Sequence, residues 1–211
     1  MFNGTNILTD SLDVISQSLS IPVLIILLII VAVTIILLGQ TVSEYFKNKK
    51  VKVGRIRDLM YAIDEAASIV EVRNIISSSE LPETQKKILL EICNADKMKK
   101  NTREALARKL VEWEEEKVEK KLSRSDIITR IGPTLGLMGT LIPMGPGLAA
   151  LGAGDINTLA SSLTVAFNTT IVGIGSGALC YVLSKIRNQW YERYLSDLDA
   201  LTDAVLDYLD D

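Results

Sequence analysis

The sequence has no histidine and only two cysteines. The missing histidine removes the commonest metal ligand and the commonest general base near neutral pH, so a zinc or hydrolytic enzyme is not expected. Neither cysteine has a CxxC neighbour. Cys93 stands in a charged stretch and Cys180 in an apolar one, and both read as free thiols. Aromatics make up 5% of the chain and interleave with no basic cluster, which with a net charge of -3 argues against a nucleic-acid-binding face. Gly-rich phosphate loops and carboxylate pairs with a supporting base are missing too. Glu112, Glu115 and Glu119 can share one helix face, but acidic triples of this kind are ordinary solvated surface. No catalytic, cofactor-binding or metal-ligating set is expected, and the chain does not read as an enzyme.

Apolarity is plentiful, and it is segregated. Hydrophobic residues form 48% of the chain and charged ones 23%, yet no charge occurs from Leu19 to Gln40 or from Ile156 to Ser184. That distribution belongs to a lipid bilayer rather than to a soluble core. Ile21 to Gly39 is aliphatic all round and supplies the ~20 residues a helix needs to cross ~30 Å of hydrocarbon, with Pro22 in its first turn. Its one polar residue, Thr34, is expected to face lipid. Residues 1–20 carry only Asp10 and Asp13 as side-chain charges, so the segment lacks the basic start of a signal peptide and is expected to stay outside. Lys47, Lys49, Lys50, Lys52, Arg55 and Arg57 follow the first span and place its far end in the cytoplasm.

Two further spans are expected, at 131–151 and 158–184, joined by a short outer loop at 152–157. The first of them holds Gly132, Gly136, Gly139, Gly145 and Gly147 with Pro133, Pro143 and Pro146. Such a segment makes a poor soluble helix but suits a packed inner membrane helix, in which small residues admit close neighbours; Pro133 marks its start. The second is followed by Lys185, Arg187 and Arg193 with Trp190, Tyr191 and Tyr194, an interfacial and cytoplasmic signature. Its uncharged run of 29 residues would be ~43 Å long as a helix, so it is expected to tilt or project into water.

Residues 40–130 repeat apolar positions at steps of three and four, as in LMYAIDEAASIVEVRNIISS and KKILLEICNADKM, and are expected to form amphipathic helices of a cytoplasmic domain. Leu81-Pro82-Glu83 separates two of them, and 185–211 adds a cytoplasmic C-terminal helix. The fold class is therefore all-α: an integral membrane protein with three transmembrane helices, the second and third extended into the cytoplasmic helical domain.

The most informative stretch is SSLTVAFNTTIVGIGSGALCYVL. At 100° per residue, Leu163, Phe167, Ile171, Ile174, Ala178 and Tyr181 share one sector, assigned to lipid or outer packing. Ala166, Thr170, Gly173 and Gly177 form a small-residue stripe, flanked on one side by Ser162, Thr169 and Ser176. Two readings are open for it. One is close helix packing, shared by Gly136 and Gly139, and the other is a hydrated path lined by hydroxyls. Hydroxyls relay a proton but hold no stable charge at neutral pH, so a path of this kind needs a titratable group from elsewhere.

Gly132-Pro133-Thr134-Leu135-Gly136-Leu137-Met138-Gly139-Thr140, followed by Ala166-Phe167-Asn168-Thr169-Thr170-Ile171-Val172-Gly173-Ile174, resembles the MotA/TolQ/ExbB proton channel family, the ExbB and TolQ branch most. The resemblance covers Ser125 to Arg193 well. It implies a multi-pass protein of the cytoplasmic membrane, N-terminus outside and C-terminus in the cytoplasm. It further implies a homo-oligomer, a pentamer, around single-pass partners resembling ExbD, TolR or MotB that supply an Asp to the pore. By position Thr140 and Thr170 match the family's pore-facing threonines, and the function implied is an ion-motive-force-driven scaffold that energises transport or movement. The sequence departs from the branch at Val165, where a Glu is common, and at Pro143 and Pro146. The competing expectation is a structural membrane assembly protein that conducts nothing.

Overall fold

The computed structural model describes the backbone of residues 3–47 and 53–210 and the side chains of residues 7–45 and 54–210. Of the basic run after the first span, Lys49, Lys50 and Lys52 and the side chain of Lys47 lie outside the described residues. The described residues form six helices and no strand: α1 (Asn3–Lys47), α2 (Val53–Asp64), α3 (Ile69–Ser78), α4 (Glu83–Cys93), α5 (Lys100–Gly152) and α6 (Ile156–Asp210). α1, α5 and α6 are each long and apolar enough to cross a membrane. The chain divides into two compact units, residues 1–43 with 123–186 and residues 44–122 with 187–211, so α5 and α6 contribute to both.

The first unit is a three-helix assembly. α1 is aliphatic on every side, yet Val23, Leu27, Ile30, Thr34, Leu37 and Thr41 are buried at alternating steps of four and three, the spacing of a helix seam. They pack with Ile128 and Leu135 of α5 and Cys180 of α6, with Met138, Ile142, Val172 and Leu183 alongside. Thr34 thus does not face lipid. It is 3% exposed, donates to the Ile30 carbonyl at 2.8 Å and lies 3.5 Å from the Cys180 sulfur, because a hydroxyl in an apolar setting is better placed against protein than hydrocarbon. Away from these contacts Ile21, Leu28, Ile35, Leu141 and Ile171 are largely exposed, an apolar exterior that fits a bilayer and not water. The stretches of α5 and α6 in this unit are each ~45 Å long, more than the hydrocarbon thickness, so their ends reach beyond it. Pro133, Pro143 and Pro146 all lie within α5.

The turn between α5 and α6 occupies 153–155, half the expected loop, because the two ends cap one another. Gly154 has φ 84°, its N–H donates to the Leu151 carbonyl and that of Asp155 to Ala150, both at 2.9 Å. This is the glycine-terminated end of α5. The Asp155 carboxylate then accepts the backbone N–H of Thr158 at 3.1 Å and the Thr158 hydroxyl, capping the start of α6. These bonds hold its pKa below the usual carboxylate value.

The second unit has the larger apolar core. Ile63, Val72, Ile76, Leu89, Ile92, Cys93, Leu198, Leu201 and Val205 are fully buried together, with Ala107 and Val111 of α5 in the same cluster. The stretch between the first and second spans therefore folds around the ends of α5 and α6 and is no separate insertion. Polar ties reinforce it. Buried Gln85 donates to the Tyr194 carbonyl at 2.8 Å, and buried Arg103 donates to the Leu209 carbonyl at 3.0 Å and pairs with Asp210. Arg187, 2% exposed, pairs with Glu44 at 3.3 Å, and the Tyr191 hydroxyl donates to the same carboxylate at 3.4 Å. The apolar rhythm expected to run as one helix through 59–78 is broken after Asp64. Ser68 caps α3 by accepting the Glu71 N–H at 3.4 Å, and the Glu71 carboxylate accepts the Ala67 N–H at 2.9 Å. Pro82 caps α4, one position before its first residue.

Candidate functional site

The glycines of α5 and α6 set the geometry of the first unit. A Cβ added at Gly173 would lie 2.6 Å from the Gly132 carbonyl oxygen and 2.7 Å from the Gly136 Cα. One at Gly132 would lie 2.8 Å from the Gly173 oxygen, and one at Gly177 the same distance from the Pro133 ring. Only glycine lets two backbones approach so closely, the small-residue packing of membrane helices. The contacts keep an antiparallel register: Gly147 meets Ser162, Gly139 meets Thr169, Gly136 meets Gly173, and Pro133 meets Gly177. In that register Thr140 and Thr170 stand at one level.

The hydroxyl residues divide by position. Thr169 is 6% exposed, packs on Gly139 and donates to the carbonyls of Val165 at 3.0 Å and Ala166 at 2.9 Å. Ser176 is buried, and Ser162 lies half-buried against Gly147. Thr140 and Thr170 are half-buried at the edge of the seam, donating to Leu137 at 2.6 Å and Ala166 at 3.1 Å. On α5, Ile128, Leu135, Met138 and Ile142 face α1, and on α6 Val172, Cys180 and Leu183 do so. At 100° per residue, Thr140 and Thr170 therefore flank the seam on the side away from α1. Each hydroxyl spends its proton on its own helix, leaving the oxygen's two lone pairs as acceptors.

The wheel's outer sector is exposed at Phe167, Ile171, Ile174, Ala178 and Tyr181, while Leu163 is half-buried. Val165 is 40% exposed and adds no charge. In the first unit two polar contacts between helices are not readable from the sequence. One is the Thr34–Cys180 contact; the other joins α5 to α6, where the Ser184 hydroxyl donates to the Asp126 carboxylate. The position of Asp126 just before an uncharged span is the one signal that marks it in the sequence.

Both cysteines are free and buried. Burial pushes the Cys93 thiol up to about 11, against a smaller opposing pull from Arg73. Among the described residues no group of His, Cys, Asp or Glu could hold a metal ion.

No curated protein matches the chain. The sequence profile of the MotA/TolQ/ExbB proton channel family matches residues 77–200, more than half of the chain and all of the α5–α6 seam. Three helices of membrane-spanning length, a glycine seam with threonines at its edge, and this match together place the chain: it is a membrane protein and belongs to the MotA/TolQ/ExbB proton channel family.

Proposed function

We propose that the chain is the scaffold subunit of a proton channel, and that Thr140 and Thr170 line the path together with Thr169, Ser162 and Ser176 of α6. The observation that carries this reading is the pairing of two half-buried threonines at one level of the α5–α6 seam, on the side that α1 leaves uncovered. Gly136, Gly139, Gly173, Gly177 and Pro133 serve the close approach that puts the pair there.

Physical chemistry then dictates what the subunit needs. Its threonines can accept a hydrogen bond from protonated water but cannot store the charge, and the spans contain no Asp, Glu, Lys, Arg or His. A carboxylate must come from another chain, so several copies, five by resemblance, enclose a single-pass partner that brings an Asp to the level of the threonines. Protons crossing by way of that Asp would move the partner against the scaffold and energise transport or movement. In this reading residues 1–20 lie outside, 21–39, 131–151 and 158–184 span the membrane, and 40–130 and 185–211 lie in the cytoplasm.

Native mass spectrometry of the detergent-extracted complex, recovered through a tag on this chain, tests the reading. It expects several copies of this chain with fewer copies of a small single-pass protein holding an Asp in its span. A homo-oligomer with no second protein supports instead a non-conducting assembly.

A further inference from the structure

We propose that Asp126 is the carboxylate that receives the ion at the cytoplasmic end of the α5–α6 path; the inference rests on the path reading above. Three observations converge on it.

The first is position. The Ser184 hydroxyl donates to Asp126 Oδ1, tying α5 to α6 about two turns beyond the Pro133–Gly177 contact in the same antiparallel register. Along α5, Asp126 lies ~21 Å from Thr140 and only ~40° around the axis from it, on the side away from α1. Half-buried Thr129 falls between the two.

The second is charge. No Asp or Glu occurs in residues 127–154, and α6 has none before Glu192. The charged neighbours along the chain are basic: exposed Arg124 and Arg130 about Asp126, and after Ser184 exposed Lys185 and buried Arg187, the last paired with Glu44. Asp126 is the one acidic residue of 120–154 and 156–191, so a cation arriving at this end of the seam finds its carboxylate among basic neighbours.

The third is chemistry. The threonines pass a proton on but cannot keep it, whereas a carboxylate can bind it and release it to water. Asp126 is exposed, so the release is to bulk solvent. The step balances simply: a protonated water gives its proton to a carboxylate oxygen, and the carboxylic acid then gives it to water of the cytoplasm. Ser184 keeps its own proton throughout and orients the acceptor.

The test is proton uptake by proteoliposomes holding the whole complex, purified through a tag on this chain. A potassium diffusion potential drives uptake and a trapped pH dye reads it. Asp126→Asn should lower the initial rate about a hundredfold, the lower end of what a positioned proton-transfer group contributes. Asp126→Glu should restore most of it, and Ser184→Ala should fall between. Equal losses in Asn and Glu variants would make the position structural and overturn the inference. An unchanged rate in Asp126→Asn, beside a lost rate in Thr140→Val with Thr170→Val, would overturn it while leaving the path in place. If the double threonine variant also conducts normally, the path reading fails and takes this inference with it.

Discussion

Gly173 faces the backbone carbonyl of Gly132 with no room for a side chain: a Cβ there would stand 2.6 Å from the oxygen. Backbone on one side and backbone on the other leave nothing flexible to move, so the helices themselves must part. Gly173→Ala should destabilise the first unit by about 1–3 kcal/mol, the usual effect of overpacking. Gly175, two residues on, has nothing within 4 Å of an added Cβ. Gly175→Ala should leave the melting temperature in detergent unchanged, and equal effects at both positions would refute the seam.

In the second unit, Leu201 of α6 is fully buried in a cluster built mainly from α2, α3 and α4. Leu201→Ala should cost about 2–5 kcal/mol, as core truncations do. Chemical unfolding of the full chain should show it, and limited proteolysis should cut first between α2 and α4. A loss below half a kcal/mol would show that α6 does not complete this core.

Asp210 carries a pH dependence. Hydrogen bonding and charge from Lys100, 2.9 Å away, with Arg103 beside it, hold its carboxyl below the usual range. A depressed value means the stabilisation is present above the unfolded carboxylate pKa of about 3.9 and disappears as pH falls through the lower folded value. Wild type should therefore melt above Asp210→Asn at pH 7, and the two curves should converge in strong acid. A gap that widens on acidification would contradict the sign.

Cys93 should be inert to alkylation in the folded chain. With its thiol raised from 9.0 to about 11 and the side chain fully buried, the thiolate is scarcer by about a hundredfold near pH 8. Maleimide labelling at this residue, followed by peptide mass analysis, should appear only after denaturation. Rapid labelling of the native protein would show that α4 opens.

Much of this was legible before the structure, and the gaps have physical causes. Length and apolarity set out three spans, and the wheel of the third already separated Phe167, Ile171 and Tyr181 from Gly173 and Gly177. Thr34 was misread because α1 is aliphatic all round: periodicity of apolarity vanishes when every face is apolar, and its buried side emerges only against Cys180. The break after Asp64 hid for the opposite reason, since the apolar rhythm continues across it and only the Ser68–Glu71 cap ends it. The Asp126–Ser184 contact depends on the register of two helices 58 positions apart, which no single-helix wheel contains.

In the proposed channel a proton crosses between α5 and α6 by way of Thr140 and Thr170. Proton uptake into proteoliposomes containing the tagged, intact complex measures this most directly, comparing wild type with Thr140→Val plus Thr170→Val. Valine keeps the shape of threonine and removes the hydroxyl, both its acceptor lone pairs and its bond to a carbonyl of its own helix, so assembly, checked by native mass, should be unchanged. Uptake in the double variant should fall to the level of empty liposomes; uptake equal to wild type in a correctly assembled variant would rule out the threonine path.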